Sequence, residues 1–111
     1  MSPRVDVQTW SSITDEPLSE AAIRARYPAA KYRVCAYRYP AWARFNGAMR
    51  RATCYVLSGA CRHAFIDVDA TVREGEVVEL PGGDYSFEVL DDEPLVMVLC
   101  WELPFEVNHI Q

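Results

Sequence analysis

Four arginines, Arg38, Arg44, Arg50 and Arg51, crowd into one short stretch of a chain that carries 11 Lys and Arg against 16 Asp and Glu, for a net charge of -5. A guanidinium is a planar fork of donors that matches a carboxylate or a phosphate, so such a cluster could hold a small anion. Asn46 lies between them, and Tyr85 follows on a later segment. Arg38, Arg44, Asn46, Arg50 and Tyr85 are the candidate ligand-binding residues, with Tyr32 and Glu102 as further polar groups. A second reading stays open, in which the arginines pair with acidic side chains on a solvated surface and contribute little. Tyr85 could also act as an acid with an arginine beside it, but the sequence places no base near it.

Metal and thiol chemistry find less support. Cys35, Cys54, Cys61 and Cys100 each fall inside a predicted strand and form no Cys-x-x-Cys pair. They read as buried free thiols, because reduced cysteine packs as a small apolar residue. His63 and His109 are the only histidines, and two isolated imidazoles do not make a three-ligand site. His63 reads as a surface or core-edge histidine, and His109 belongs to a C-terminal tail, Phe105 to Gln111, expected to pack on a partner subunit.

The 111 residues, half of them apolar, suit one core and hardly two. The acidic balance excludes general affinity for nucleic acid or anionic membrane, which needs a basic surface. No apolar run is long enough to span a bilayer, and the N-terminal residues lead into polar sequence without a signal-peptide core. The expectation is a cytoplasmic chain with no membrane and no nucleic-acid partner.

The elements that must position these residues are short. Thr53 to Leu57, Ala60 to Ile66 and Glu76 to Leu80 are apolar, β-branched or aromatic runs that stop at Ser58-Gly59, Asp67 and Pro81-Gly82-Gly83. That pattern predicts antiparallel strands. Lys31 to Tyr39 predicts a strand with Tyr32, Val34, Ala36 and Arg38 on one face and Arg33, Cys35 and Tyr37 on the other. Ala41 to Arg51 reads as the approach to the central strand. Asp84 to Leu90 predicts a strand with Tyr85, Phe87 and Val89 inward, and Leu95 to Leu103 one buried on both faces. Residues 15 to 28 carry cap, proline and basic-end signals for a short helix with Leu18, Ala22 and either Ala25 or Arg26 on its packed face. Alternation around Val5, Val7 and Trp10 allows one edge strand. Phe45, Tyr55, Phe87 and Trp101 read as core aromatics, whereas Trp42 falls in a loop.

The order Tyr55-Val56-Leu57-Ser58-Gly59, Gly75-Glu76 and Leu80-Pro81-Gly82-Gly83 resembles the conserved-barrel signature of the cupin superfamily over Tyr32 to Leu103. The resemblance implies a mainly β fold, a double-stranded β-helix or jelly-roll barrel, here with one short N-terminal helix. Residues 1 to 30 then form an N-terminal segment packed on a barrel of residues 31 to 111. It does not by itself imply a reaction. Metal-dependent cupins place His-x-His and Glu before the signature glycine and a further His after the Pro-x-Gly turn. Counting from Gly59, the first three positions fall on Asn46, Ala48 and Ala52, or on Phe45 and Gly47 at the longer spacing. The last falls on Ser86 or, keeping the inward face in register, on Tyr85. The ligand set is replaced, so no metal and no cofactor is expected. The reading that follows is a metal-free cupin-fold protein holding a small, anionic molecule in the barrel mouth. Two alternatives remain: a homodimeric interaction scaffold and a metal-independent, epimerase-like enzyme.

Overall fold

Short apolar runs cut by Gly, Pro and Asp become strands throughout residues 6–103, the part of the chain that the computed structural model describes. Two antiparallel sheets result. The first holds, in spatial order, β1 (Val7–Thr9), β7 (Glu76–Leu80), β4 (Ala52–Ser58), β9 (Leu95–Glu102) and β2 (Tyr32–Tyr39). The second holds β3 (Arg44–Met49), β8 (Gly83–Val89), β5 (Ala60–Phe65) and β6 (Asp69–Arg73). Successive strands mostly change sheet, with β5 and β6 the one hairpin-paired neighbours. That alternation is the winding of a jelly roll.

Gly59 therefore does more than turn a hairpin. It carries the chain from β4 in one sheet to β5 in the other, at φ +83°. β7 spans the residues expected of it, and β1 is the edge strand allowed by the N-terminal alternation. Two strands carry weak sequence signals. The approach to the central strand contains β3, whose Asn46 and Gly47 lower β propensity, and β6 escaped notice although Asp69 to Arg73 alternates polar residues with buried Ala70 and Val72.

The packing has two layers. Between the sheets lie Cys54, Val56, Cys61, Val72, Leu80, Phe87, Val89, Leu95 and Met97. Outside the first sheet, Trp10 and Ile23 cover Tyr55, Val77, Val98 and Cys100. Leu95 to Cys100 is apolar at every position because β9 serves both layers, with Met97 and Leu99 inward and Val98 and Cys100 outward. Helix α1 (Glu20–Arg24) is shorter than the helical signals suggest. Its cap is Ser19, whose Oγ accepts from the Ala22 N–H at 3.0 Å, satisfying one orphan donor of the first turn. Ile23 is its buried residue, flanked by Leu18 and Ala22. Ala25 and Arg26 stay exposed, contrary to the face expected of them; the Arg26 guanidinium instead lies 5.6 Å from the Trp10 ring centroid, a cation–π contact.

Trp42 occupies the third position of a turn closed by the Ala43 N–H donating to the Pro40 carbonyl at 3.2 Å, with φ +64° and 61% of its surface exposed. That position favours glycine. Trp42→Gly is expected to raise stability by about 0.5–1 kcal/mol, the relief of left-handed strain less the entropy of a glycine in the unfolded chain. Urea unfolding at unchanged m-value measures it.

Candidate functional site

The period-two alternation of the strands sorts the candidate residues onto different surfaces. On β2, Tyr37 and Tyr39 pack against the inner core, which turns Arg38 outward. On β3, Phe45 and Met49 go inward, leaving Arg44 and Asn46 exposed on the far side of the second sheet. There they border a groove of about 320 Å³ with Arg62, Ser86 and Glu88. Arg62 is already committed: its Nε donates to Asp69 Oδ1 at 2.9 Å and its Nη1 to Glu88 Oε1 at 3.3 Å. Tyr32 and Glu102 face each other across β2 and β9 and line a crevice outside the barrel. Of the five candidates, only Arg50 and Tyr85 meet at the mouth.

They meet at a cavity of about 270 Å³ between the sheets. β2 supplies Tyr37 and Tyr39, β9 supplies Met97, Leu99 and Trp101, β3 supplies Ala48 and Met49, and β8 supplies Tyr85. Arg50 follows β3 directly. Larger clefts exist, including one of about 700 Å³ along β7 and β1, but it lies on the outer surface and admits the charged side chains Asp6, Arg51 and Glu79. The mouth cavity lies between the two sheets, open on one side, and is walled by aromatic and thioether groups, the build of a small-molecule site. Burial raises the pKa of Tyr37, Tyr39 and Tyr85, with neighbouring Cys35 adding to the first and Tyr39 to the last. All three phenols are therefore neutral donors at neutral pH. Tyr37 has the Cys35 thiol beside it; among the described residues the hydroxyls of Tyr39 and Tyr85 have no hydrogen-bond partner and Arg50 forms no ion pair.

Behind Tyr85 the barrel is filled. Phe87 stacks on Phe45 at a centroid distance of 4.8 Å, and Tyr39 lies 5.2 Å from Phe87. His63 sits among them, 5.0 Å from Phe87 and 5.7 Å from Tyr85, and only 1% exposed. The expectation of a surface or core-edge histidine is thus corrected. The cause is register: His63 pairs with Phe87 across β5 and β8, so both face inward. An imidazole does stand behind Tyr85, although it does not line the cavity. Its Nδ1 lies 4.0 Å from the Cys61 sulfur. His109 lies outside the described residues, as does the tail beginning at Phe105.

The positions that hold metal in metal-dependent cupins can now be compared with side chains. Phe45 and Gly47 point inward and Asn46 outward, so the longer spacing is the structural one. Gly47 is paired with Tyr85, whose ring fills the space a Cβ at Gly47 would enter, at 3.3 Å. Phe45, Gly47, Ala52 and Tyr85 do not fit a metal that needs imidazole and carboxylate donors. Among the described residues no group of three His, Cys, Asp or Glu side chains is placed to hold an ion.

Cys54 and Cys61 approach each other from opposite sheets. Cys54 is held well above the usual thiol range by its hydrogen bond with Cys61 and by burial. Cys61 is lowered to about 6, first by the Cys54 thiol and then by His63. Burial nonetheless governs reactivity, because a thiol that no reagent can reach is inert. Cys54, Cys61 and Cys100 are buried and Cys35 is half-buried. We expect Ellman's reagent to titrate no more than Cys35 in the folded protein and all four thiols in denaturant; fast reaction of a second thiol in the fold would contradict this packing.

No protein-family profile matches the sequence, and no curated protein does. Solved structures match in fold. The Schizosaccharomyces pombe Cnp3 cupin domain aligns with a TM-score of 0.58 at 11% identity, covering 75% of this chain and 64% of that one. The Clostridium difficile EutQ protein aligns with a TM-score of 0.54 at 12% identity, covering 68% of this chain and 59% of that one. A cupin superfamily protein from Desulfitobacterium hafniense aligns with a TM-score of 0.56 at 8% identity, over 94% of this chain and 82% of that one. The chain thus spans about three fifths of the EutQ and Cnp3 structures it matches. At these identities the likeness is one of fold, and the fold is that of a cupin.

Proposed function

We propose that this cupin-fold chain binds a small anionic molecule in the cavity between its sheets, with Arg50 as the charged anchor and Tyr85 as a hydroxyl donor. The single observation that carries the reading is the donor arrangement at the mouth. One arginine and three tyrosines line a cavity that no acidic side chain lines. A site with one positive charge and no carboxylate suits an anion, since a cation would meet the guanidinium without a counter-charge, while the phenols can turn their O–H donors toward an anion. Arg38 and Arg44, on other surfaces, take no part. The two large sheets and filled interior then serve as a rigid frame for the mouth.

The test compares four proteins: wild type, Arg50→Ala, Arg38→Ala and Arg44→Ala. All three arginines are exposed, so the variants keep the fold. Small carboxylates are titrated while the fluorescence of Trp101, which lines the cavity, is followed. Saturable binding is expected in wild type, Arg38→Ala and Arg44→Ala, and a loss of roughly tenfold or more in Arg50→Ala, as for removal of a charge-assisted hydrogen bond. Binding that survives in Arg50→Ala but weakens in Arg44→Ala would move the site to the outer groove and overturn the assignment.

A further inference from the structure

We infer that the ligand of this cavity is a planar, single-ring monocarboxylate, an inference that rests on the anion-binding reading above and narrows it. Three independent features point there. The first is charge. Arg50 is the one ionised side chain at the cavity, and the half-buried phenols keep their protons. One cation balances one anion; a phosphate monoester would bring a second negative charge into a partly desolvated space without a partner. Arg51 does not supply it, because it lines only the crevices outside the barrel, whereas Arg50 stands between the cavity and one of those crevices and lines both.

The second feature is shape. Tyr37 and Tyr39, two residues apart on the inward face of β2, hold their rings parallel to within 2° with centroids 6.3 Å apart. With Tyr85 and Trp101 the stacked pair makes the lining of the cavity largely aromatic. Met49 and Met97 also line the cavity, and thioethers adapt to a ring edge and make favourable sulfur–aromatic contacts. A flat ring makes edge or face contacts with such a lining that a flexible alkyl chain, which must also lose rotamer entropy, does not.

The third feature is size. A volume of about 270 Å³ lies just under the usual span of small-molecule sites, about 300–1,000 Å³. It covers one ring and its carboxylate, whereas a fused multi-ring ligand or a nucleotide would leave much of its surface outside. In this arrangement the carboxylate meets Arg50 at the rim, a phenol of the mouth donates to its second oxygen, and the ring lies inward along the tyrosines.

Benzoate, hexanoate, phenyl phosphate and benzylamine discriminate the terms, measured on the full chain by calorimetric titration and by ligand-observed NMR. Benzoate is expected to bind about tenfold more tightly than either hexanoate or phenyl phosphate, and benzylamine not to bind. Arg50→Ala should weaken benzoate roughly tenfold to a hundredfold, and Arg50→Lys should recover part of the loss, because an ammonium keeps the charge without the fork. Hexanoate binding as tightly as benzoate, or phenyl phosphate binding more tightly, overturns the planar monocarboxylate and leaves the anion site standing. Absence of binding by all three anions overturns both. Benzoate binding that is indifferent to Arg50→Ala places it elsewhere and also overturns both.

Discussion

Phe87→Ala lowers the unfolding free energy by about 3–5 kcal/mol, the range for removing a buried aromatic side chain and leaving its cavity. Phe87 is 2% exposed. It is paired with Phe45 on β3 and with His63 on β5, and its ring also touches that of Tyr39 on β2. No neighbour can collapse into the gap without pulling a strand with it. The loss is a large share of the roughly 5–15 kcal/mol that holds a typical domain together. Phe87→Leu, which keeps most of the volume, should cost about 1–2 kcal/mol. Phe45→Ala should fall below Phe87→Ala, since Phe45 is only partly buried. Urea unfolding of the three variants at constant m-value gives the ordering. Near-equal costs for Phe45→Ala and Phe87→Ala would mean that the second sheet is not held through Phe87.

What could be read from the sequence, and what could not, follows from how strongly each strand distinguishes its faces. β8 alternates Asp84, Ser86 and Glu88 with Tyr85, Phe87 and Val89, so only one face can be buried, and the inward set was legible. β9 is apolar from Leu95 to Trp101, and its burial on both faces was legible as well. β2 is different. One face carries Val34, Ala36 and Arg38 and the other Cys35, Tyr37 and Tyr39, and neither is plainly polar. Alternation separates these sets but does not say which one faces the barrel. Arg38 was therefore placed at a mouth that Tyr37 and Tyr39 in fact line. The pair of tyrosines at i and i+2, on the face away from Arg38, was the available signal. β3 misled for the same reason: Arg44 and Asn46 are chemically inviting, but Phe45 and Met49 on the opposite face take the interior. His63 needed a long-range fact. Its partner Phe87 is remote in sequence, and only the pairing of β5 with β8 brings the imidazole inside. The turns were easier, because a glycine at positive φ marks itself.

Gly59→Ala and Gly75→Ala separate the two costs such glycines avoid. Both residues hold nearly the same backbone conformation, φ +83° and φ +85°. An alanine at either position pays about 1–2 kcal/mol for left-handed geometry. At Gly75 a Cβ would meet nothing within 4 Å, so Gly75→Ala should lose only that amount. At Gly59 the Cβ would stand 2.8 Å from the Pro94 carbonyl oxygen and 3.1 Å from Leu95 Cα. These are backbone atoms, and Leu95 is wholly buried, so relief requires shifting the start of β9. That displacement should add about 1–3 kcal/mol, the scale of an overpacked core. Gly59→Ala is thus expected to cost roughly twice as much as Gly75→Ala in equilibrium unfolding. The excess measures the close approach of the β4–β5 crossing to β9, which holds the first sheet against the second at the end where β9 begins. If the two variants lose equal stability, conformation alone accounts for Gly59, and β9 can yield at its first residue without disturbing the barrel.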